Sequence, residues 1–393
     1  MVGTVRVMDA VGAARSLHPL IREHADAAET NRCIDPAVRA AMAEVGLFRS
    51  AAPAVYGGGE LHPVDIIKGI EAVSEADGST GWTLMIGIET LGICTGALPE
   101  DTATSILGDN PDVTFCGAIN ALGRARRVPG GFVVSGQWPF ASGCQGADWF
   151  WGGCTVFDDA GEPERVGHHQ RPLLIQVVVP REQYAVLDTW RSPGLRGTGS
   201  HDVVLDEVFV PDEFTTDVYG IGMRVDTALF RMPPYSRLAF NKVGVATGVA
   251  RAALDAFIGL ATEKKPMTST SLLRERPQAQ LAIAEAEARL RAARAFVFES
   301  VSHVFDLAAA GEEASLHDQA MVRLACSHCC AEAVRAVDVV MAQAGMSALQ
   351  PDRPLERCSR DVRVVPQHVT VNPSAIQDAG RVLLGLDPVS IVF

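Results

Sequence analysis

The sequence predicts a mainly α-helical protein with a central β domain, and three observations carry that reading. Apolar residues recur at three- and four-residue spacing through residues 1–110 and again from 226 to 393. Between them, in 111–225, short β-branched and aromatic runs are punctuated by Gly, Pro and Asp. No βαβ alternation and no GxGxxG accompanies them, which argues against a doubly wound nucleotide-binding fold.

In the first region, 17–28 and 36–45 read as helices, the second stopped by Gly46. Residues 51–61, AAPAVYGGGEL, form a Pro/Gly-rich loop. A third helix runs from Pro63 to Asp77, and Ser79 or Thr80 can cap a fourth, apolar one through Leu84, Ile88 and Leu91. In the second region, strands are expected at 131–135, 149–155, 173–179 and 203–210, as in a small antiparallel β domain. The adjacent His168 and His169 read as part of a polar, solvated loop. In the third region, 235–264, 278–310 and 315–344 read as long helices, followed by shorter ones at 354–365 and 374–384. Long antiparallel helices with short links make a bundle.

Composition narrows the function. The 393 residues suffice for a large core, and the mean hydropathy is +0.14. A formal net charge of −13 repels phosphate backbones, so nucleic acid and anionic membranes are not expected as partners. No run is read as a membrane span, and the N-terminus lacks the basic start and apolar core of a signal peptide. The cysteine count is nine, odd and irregularly spaced, which argues for reduced thiols in the cytoplasm. Cys326, Cys329 and Cys330 sit in an Ala-rich helical pattern without a second ligand pair, so buried thiols are expected there rather than a metal.

One stretch stands out chemically. In GGFVVSGQWPFASGCQGADWFWGG (130–153), Trp138, Phe140, Trp149, Phe150 and Trp151 crowd together in a chain that is only 6% aromatic. Glycines at 136, 143 and 146 leave room for close approach. The pattern suits either a flat, π-bearing ligand held at a sheet or a sheet that packs its own aromatics.

Four motifs then carry a resemblance over nearly the whole chain: PAVYGGGEL (53–61), GQWPFASGCQGADWF (136–150), GLRGTGSHDVVLDEVFVP (194–211) and RD…H…SAIQDAGRVLLG (360–385). Together they resemble the acyl-CoA dehydrogenase superfamily. That resemblance implies an N-terminal α domain (1–110), a middle β barrel (111–225) and a C-terminal four-helix bundle (226–393). It also implies a homotetramer and a flavin between sheet and bundle. Two chemistries exist in the superfamily. The dehydrogenases use a terminal carboxylate base, whose place here falls on Val369 or Val371, and no Glu follows Glu356. Their adenine-end FAD signatures are also missing. The chain instead resembles the flavin-dependent hydroxylases, oxygenase components of two-component systems. It does so in DGSTGW (77–82), in Phe140-Ala-Ser-Gly143 and in His368, seven residues after Arg360-Asp361.

By that resemblance His368 is the active-site base and Ser142 hydrogen-bonds flavin N5. Phe140, Trp138 and Trp82 could wall the pocket, with Asn120 near the flavin and Arg360-Asp361 orienting the His368 loop through an ion pair. His201, on a loop leading into a strand, reads as structural, with contact to substrate or flavin as the alternative. The implied reaction uses reduced flavin (FMNH2 favoured by the lost adenine-end motifs, FADH2 as the other choice) and O2. It passes through a C4a-hydroperoxide and hydroxylates a small aromatic or phenolic molecule. A separate NAD(P)H:flavin reductase would supply the flavin, because this chain has no NAD(P)H fold. Two rivals stay open: an FAD-dependent acyl-CoA dehydrogenase with a displaced carboxylate, and a flavin-binding or assembly protein that has lost catalysis.

Overall fold

The computed structural model describes residues 9–110, 112–167, 170–217, 222–267, 269–350 and 353–390; His168 and His169 lie outside them. Six helices come first: α1 (Ala10–Ser16), α2 (His18–Asn31), α3 (Pro36–Glu44), α4 (Pro63–Ser74), α5 (Gly78–Ala97) and α6 (Glu100–Asp109). Helix α5 is buried on every side, so it is the axle of this region. Its cap differs from expectation. Neither Ser79 nor Thr80 begins the helix; Asp77 does, its carboxylate accepting from the Thr80 backbone N–H and hydroxyl, both at 2.7 Å.

The strands follow: β1 (Phe115–Val128), β2 (Gly131–Ala141), β3 (Trp149–Phe157), β4 (Arg165–Val166), β5 (Arg171–Pro172), β6 (Leu174–Pro180), β7 (Ala185–Leu187), β8 (His201–Pro211) and β9 (Thr215–Thr216). Seven of them form one sheet in the order β7-β8-β2-β1-β3-β6-β9, and β4 pairs only with β5. The sheet curls around its own core of Cys116, Val134, Trp138, Phe150, Val177 and Val203. The sheet is mixed rather than wholly antiparallel, because β1 runs parallel to β3. Strand β1 is also unexpected from sequence: Gly, Ala and Arg dominate CGAINALGRARRV, hiding its strand character. Its glycines are there for neighbours. A Cβ on Gly123 would lie 2.2 Å from the Trp138 ring and 2.6 Å from the Cys154 sulfur.

Register shifts interrupt the β1–β3 and β2–β8 ladders at four places, and two of these bulges bear on the site. Between Ala118 and Ala121 the β1–β3 register slips past Ile119 and Asn120. Between Trp138 and Ala141 the β2–β8 register slips past Pro139 and Phe140, and Phe140 adopts φ +65°. Bulges re-aim side chains, and both sets reappear below on one cavity.

The C-terminal helices are α7 (Ala228–Arg231), α8 (Pro234–Glu263), α9 (Pro277–Ala310), α10 (Leu316–Ala344), α11 (Pro354–Asp361) and α12 (Pro373–Leu383). Ser315 caps α10 with a capping box to Asp318. Helix α8 packs against α4, α5, α9, α10 and α11. By length and composition alone α8 passes for a membrane span, with a mean hydropathy of 1.5 over 18 residues. Two-thirds of that window is buried within the protein, which makes α8 a core helix of the bundle. Cys326, Cys329 and Cys330 are free thiols buried in α10, and burial pushes their pKa values up.

Candidate active site

Where α5, the bulged edges of β1 and β2, the 190–200 loop and the 364–370 loop meet, they enclose a cavity of about 350 Å³. Five of the residues nominated from sequence line it: Trp82, Asn120, Phe140, Ser142 and His368. Trp138 does not. It is fully buried inside the sheet, its indole N–H donating to the Gly153 carbonyl at 2.7 Å. The crowded aromatics therefore divide. Trp138 and Phe150 pack edge to face at 5.4 Å in the sheet core, whereas Phe140 and Trp151 face the cavity.

Helical spacing supplies one wall. Trp82, Ile86, Glu89 and Thr90 recur on a single face of α5. Opposite them, the turn after β2 presents Ser142, its backbone fixed by Ser142 N–H to Phe140 C=O and Gly143 N–H to Thr198 C=O. The Trp82 indole N–H donates to the Ser142 hydroxyl at 3.0 Å. Behind Ser142 lie two further hydroxyls unmarked by any sequence period. Ser200 is 2.7 Å from Ser142, and Thr198 is 2.7 Å from Ser200. All three are buried.

The Thr198–Ser200 loop is held from outside the site. Leu195 and Gly199 adopt left-handed backbone conformations at φ +49° and +51°. The Leu195 N–H donates to the buried Asp361 carboxylate at 2.6 Å. Burial first, then the neighbouring Asp77, raises the Asp361 pKa to about 7. Arg360 turns the other way, to Glu29, Glu356 and the Pro193 carbonyl. The Arg360–Asp361 ion pair expected from sequence does not form among the described residues; both instead tie the 193–195 loop to α11, and Arg360 also reaches Glu29 of α2. His201 is structural, as its sequence context suggests. Its Nδ1 accepts the Thr189 and Trp190 N–H groups, each at 3.1 Å, and so carries Trp190 to the cavity edge.

His368 follows a short turn at Val365–Gln367. Thr370 holds its Nδ1 through the hydroxyl at 2.9 Å and the backbone N–H at 3.3 Å. That leaves Nε2 without a hydrogen-bond partner among the described residues. The ring meets Trp82 edge to face at 5.8 Å. Burial pushes the imidazole pKa well below its usual value, and the nearby Lys242 and Arg323 push it further. Lys242, on α8, is fully buried and pairs with Glu89, which also accepts from Asn241.

The cavity's furniture suits an isoalloxazine ring. Trp82, Trp151, Trp190 and Phe140 offer flat apolar walls, and three hydroxyls lie together on one side. Trp151 keeps a buried indole N–H with no partner among the described residues, the kind of donor that a carbonyl-bearing ligand satisfies. Glu89 is the one carboxylate lining the cavity among the described residues, and it is held by Lys242 and Asn241. Val369 and Val371, where a dehydrogenase would place its base, carry none.

Comparison with known proteins agrees with this chemistry. Residues 12–97 match the family model "Acyl-CoA dehydrogenase, N-terminal domain", and residues 242–373 match "Acyl-CoA dehydrogenase, C-terminal domain". The chain is 34% identical to indole-3-acetate monooxygenase of Pseudomonas putida, over 87% of this chain and 85% of that protein. It is 30% identical to the oxygenase component of FADH(2)-dependent resorcinol hydroxylase of Rhizobium sp. MTP-10005, over 96% and 94%. The crystal structure of 3-HSA hydroxylase from Rhodococcus sp. RHA1 superposes with a TM-score of 0.87 at 26% identity, covering 98% of this chain and 99% of that one. The shared fold, the relatives spanning most of the chain and the missing terminal carboxylate agree: the chain belongs to the flavin-dependent monooxygenases, the oxygenase components built on the acyl-CoA dehydrogenase fold.

Proposed function

We propose that the cavity between α5, the bulged sheet and the 364–370 loop holds reduced flavin with N5 at Ser142 and an aromatic, phenol-bearing small molecule at His368. The observation that carries this reading is the convergence of Trp82, Ser142 and His368, from three distant stretches of sequence, on one cavity of about 350 Å³. The names of the relatives, which specify indole-3-acetate and resorcinol, support an aromatic substrate. Bound reduced flavin supplies the two electrons that activate O2, one oxygen atom going to substrate and the other to water.

The protein's own contributions follow from its side chains. Trp82, Trp151, Trp190 and Phe140 exclude water from the reacting atoms. Asn120, brought to the cavity by the β1 bulge, offers an amide to the ring edge. Thr370 anchors the His368 Nδ1, and Nε2 serves as base in the tautomer whose Nδ1–H donates to the Thr370 hydroxyl at 2.9 Å; the Thr370 backbone N–H, 3.3 Å from Nδ1, instead favours the tautomer with its proton on Nε2, so proton uptake at Nε2 requires that contact to be given up. Burial and two nearby cations disfavour a lone imidazolium. His368 therefore takes the phenol proton only as a phenolate forms beside it, the new anion offsetting the new cation.

The oxygenase role implies a separate flavin reductase, which we take to be NAD(P)H-dependent. We further infer a homotetramer and a cytoplasmic setting, the latter supported by nine free cysteines. Domains divide at 1–110, 111–225 and 226–393 on this reading.

The test uses purified enzyme with anaerobically reduced FMN or FAD, followed by O2 and a phenolic or indolic acceptor. His368→Ala is expected to keep its affinity for reduced flavin, to lose hydroxylation by about 10²-fold or more and to release H2O2 instead. Ser142→Ala is expected to weaken flavin binding. Unchanged hydroxylation in His368→Ala would overturn the assignment of the base.

A further inference from the structure

We infer that Ser200 and Thr198 fix the Ser142 hydroxyl as a hydrogen-bond acceptor toward the cavity, and so set the enzyme's preference for reduced over oxidised flavin. This rests on the reading that places flavin N5 at Ser142.

The inference comes from counting protons along a buried chain of hydroxyls. It has four contacts. The Trp82 Nε1–H lies 3.0 Å from Ser142 Oγ; Ser142 Oγ is 2.7 Å from Ser200 Oγ; Ser200 Oγ is 2.7 Å from Thr198 Oγ1; and Thr198 Oγ1 is 2.8 Å from the Leu195 carbonyl oxygen. Four protons serve them, one on the indole and one on each hydroxyl. Both ends are fixed by chemistry. The Leu195 carbonyl can only accept, so Thr198 donates to it. The single Thr198 proton is then spent, so Ser200 must donate to Thr198. The Ser200 proton is spent in turn, so Ser142 must donate to Ser200. The indole N–H can only donate, and it adds its proton to Ser142. One arrangement alone fills all four contacts, and in it Ser142 has no proton left. Toward the cavity it offers a lone pair.

Any other arrangement sets two oxygen lone pairs against each other at 2.7–2.8 Å. All three hydroxyl residues are buried, Thr198 at 2%, Ser142 at 4% and Ser200 at 5% exposure, so water does not readily relieve the conflict. The carbonyl end is itself immobilised, because the Leu195 N–H is bonded to Asp361 and the residue is held at φ +49°.

The two redox forms of flavin differ at the facing atom. Reduced flavin carries a hydrogen on N5 and can donate; oxidised flavin carries a lone pair there and needs a donor. A Ser142 locked as acceptor complements the first and opposes the second. Removing the hydroxyl at 200 or at 198 frees a proton along the chain. Ser142 can then turn its own proton to the cavity and serve oxidised flavin too. Ser200 and Thr198 thus act through Ser142 as positioning residues.

The test measures the dissociation constants of oxidised FMN and of anaerobically reduced FMN for the full-length wild type, Ser200→Ala, Thr198→Val, Thr198→Ser and Ser142→Ala. Wild type is expected to favour reduced FMN. Ser200→Ala and Thr198→Val should each tighten oxidised FMN relative to reduced by about three- to tenfold, the worth of one hydrogen bond. A tenfold change lowers the midpoint potential of the bound two-electron couple by about 30 mV. Thr198→Ser keeps the hydroxyl and should keep the wild-type ratio, whereas a purely structural role would give no such rescue. If Ser142→Ala weakens flavin binding but the ratio is unmoved in both Ser200→Ala and Thr198→Val, the proton chain is overturned and the flavin site stands. If Ser142→Ala leaves both affinities unchanged, flavin does not sit at this hydroxyl, and both readings fall.

Discussion

His368 is costly to charge. Its pKa lies well below the ordinary 6.5, through burial first and then Lys242 and Arg323. In the unfolded chain it protonates near 6.5; in the folded protein it does so only at lower pH. It therefore contributes a stability that is complete above 6.5 and is lost as pH falls through the folded value. His368→Gln, which cannot protonate, should lose less stability than wild type between pH 7 and pH 5, read as the shift in urea midpoint at each pH. A wild type that loses no more than the variant would mean that the ring is not desolvated. At this scale the sequence was partly legible. His368 and Ser142 follow from their place in motifs. Thr198 and Ser200 lie inside a motif too, but nothing in GLRGTGSHDV says which hydroxyl points where. The direction of the proton chain exists only once the fold has set Ser200 against Ser142, 58 residues away, with the Leu195 carbonyl closing the other end.

At the scale of elements, the long helices were legible because periodicity writes burial directly into sequence. Strand β1 was not, because its job is to be thin. Gly123 lets the Trp138 ring lie flat against the strand, and Gly117 sits against the Trp151 ring and carbonyl. Gly123→Val should cost about 1–3 kcal/mol or more by overpacking, read from urea unfolding. No loss would mean that the ring can retreat. The two bulges escaped notice for a related reason: a register slip leaves no compositional mark, yet it delivers Ile119, Asn120, Pro139 and Phe140 to the cavity. The 194–200 loop depends on α11 through Asp361, whose pKa is raised to about 7. A raised carboxylate costs stability as pH climbs from about 4 to 7, because only the unfolded chain ionises freely there. Asp361→Asn keeps an acceptor for Leu195 N–H without that cost. Its melting temperature should rise relative to wild type on going from pH 5 to pH 8; a constant difference would contradict the buried-acid reading.

The whole molecule is two cores, one helical and one inside the curled sheet, with the cavity at their seam. Trp151 and Val178 reach from the sheet into the helical core. A ligand in the seam therefore braces both, and reduced flavin at a hundred times its Kd should add about 2.7 kcal/mol to stability, seen as a higher melting temperature under anaerobic conditions. An unchanged melting temperature would mean that the folded protein does not bind reduced flavin at that concentration. The order of layers was legible from composition shifts; the seam was not, since no residue pattern spans it. Helix α8 adds a consequence for biosynthesis. It emerges from the ribosome after its partners α4 and α5 but before α9, α10 and α11. At about 5–20 residues per second, the end of α10 follows roughly 4–16 s behind. Through that interval a segment apolar enough to enter a bilayer is only half clothed, so the nascent chain shows for several seconds a surface that the finished enzyme mostly buries.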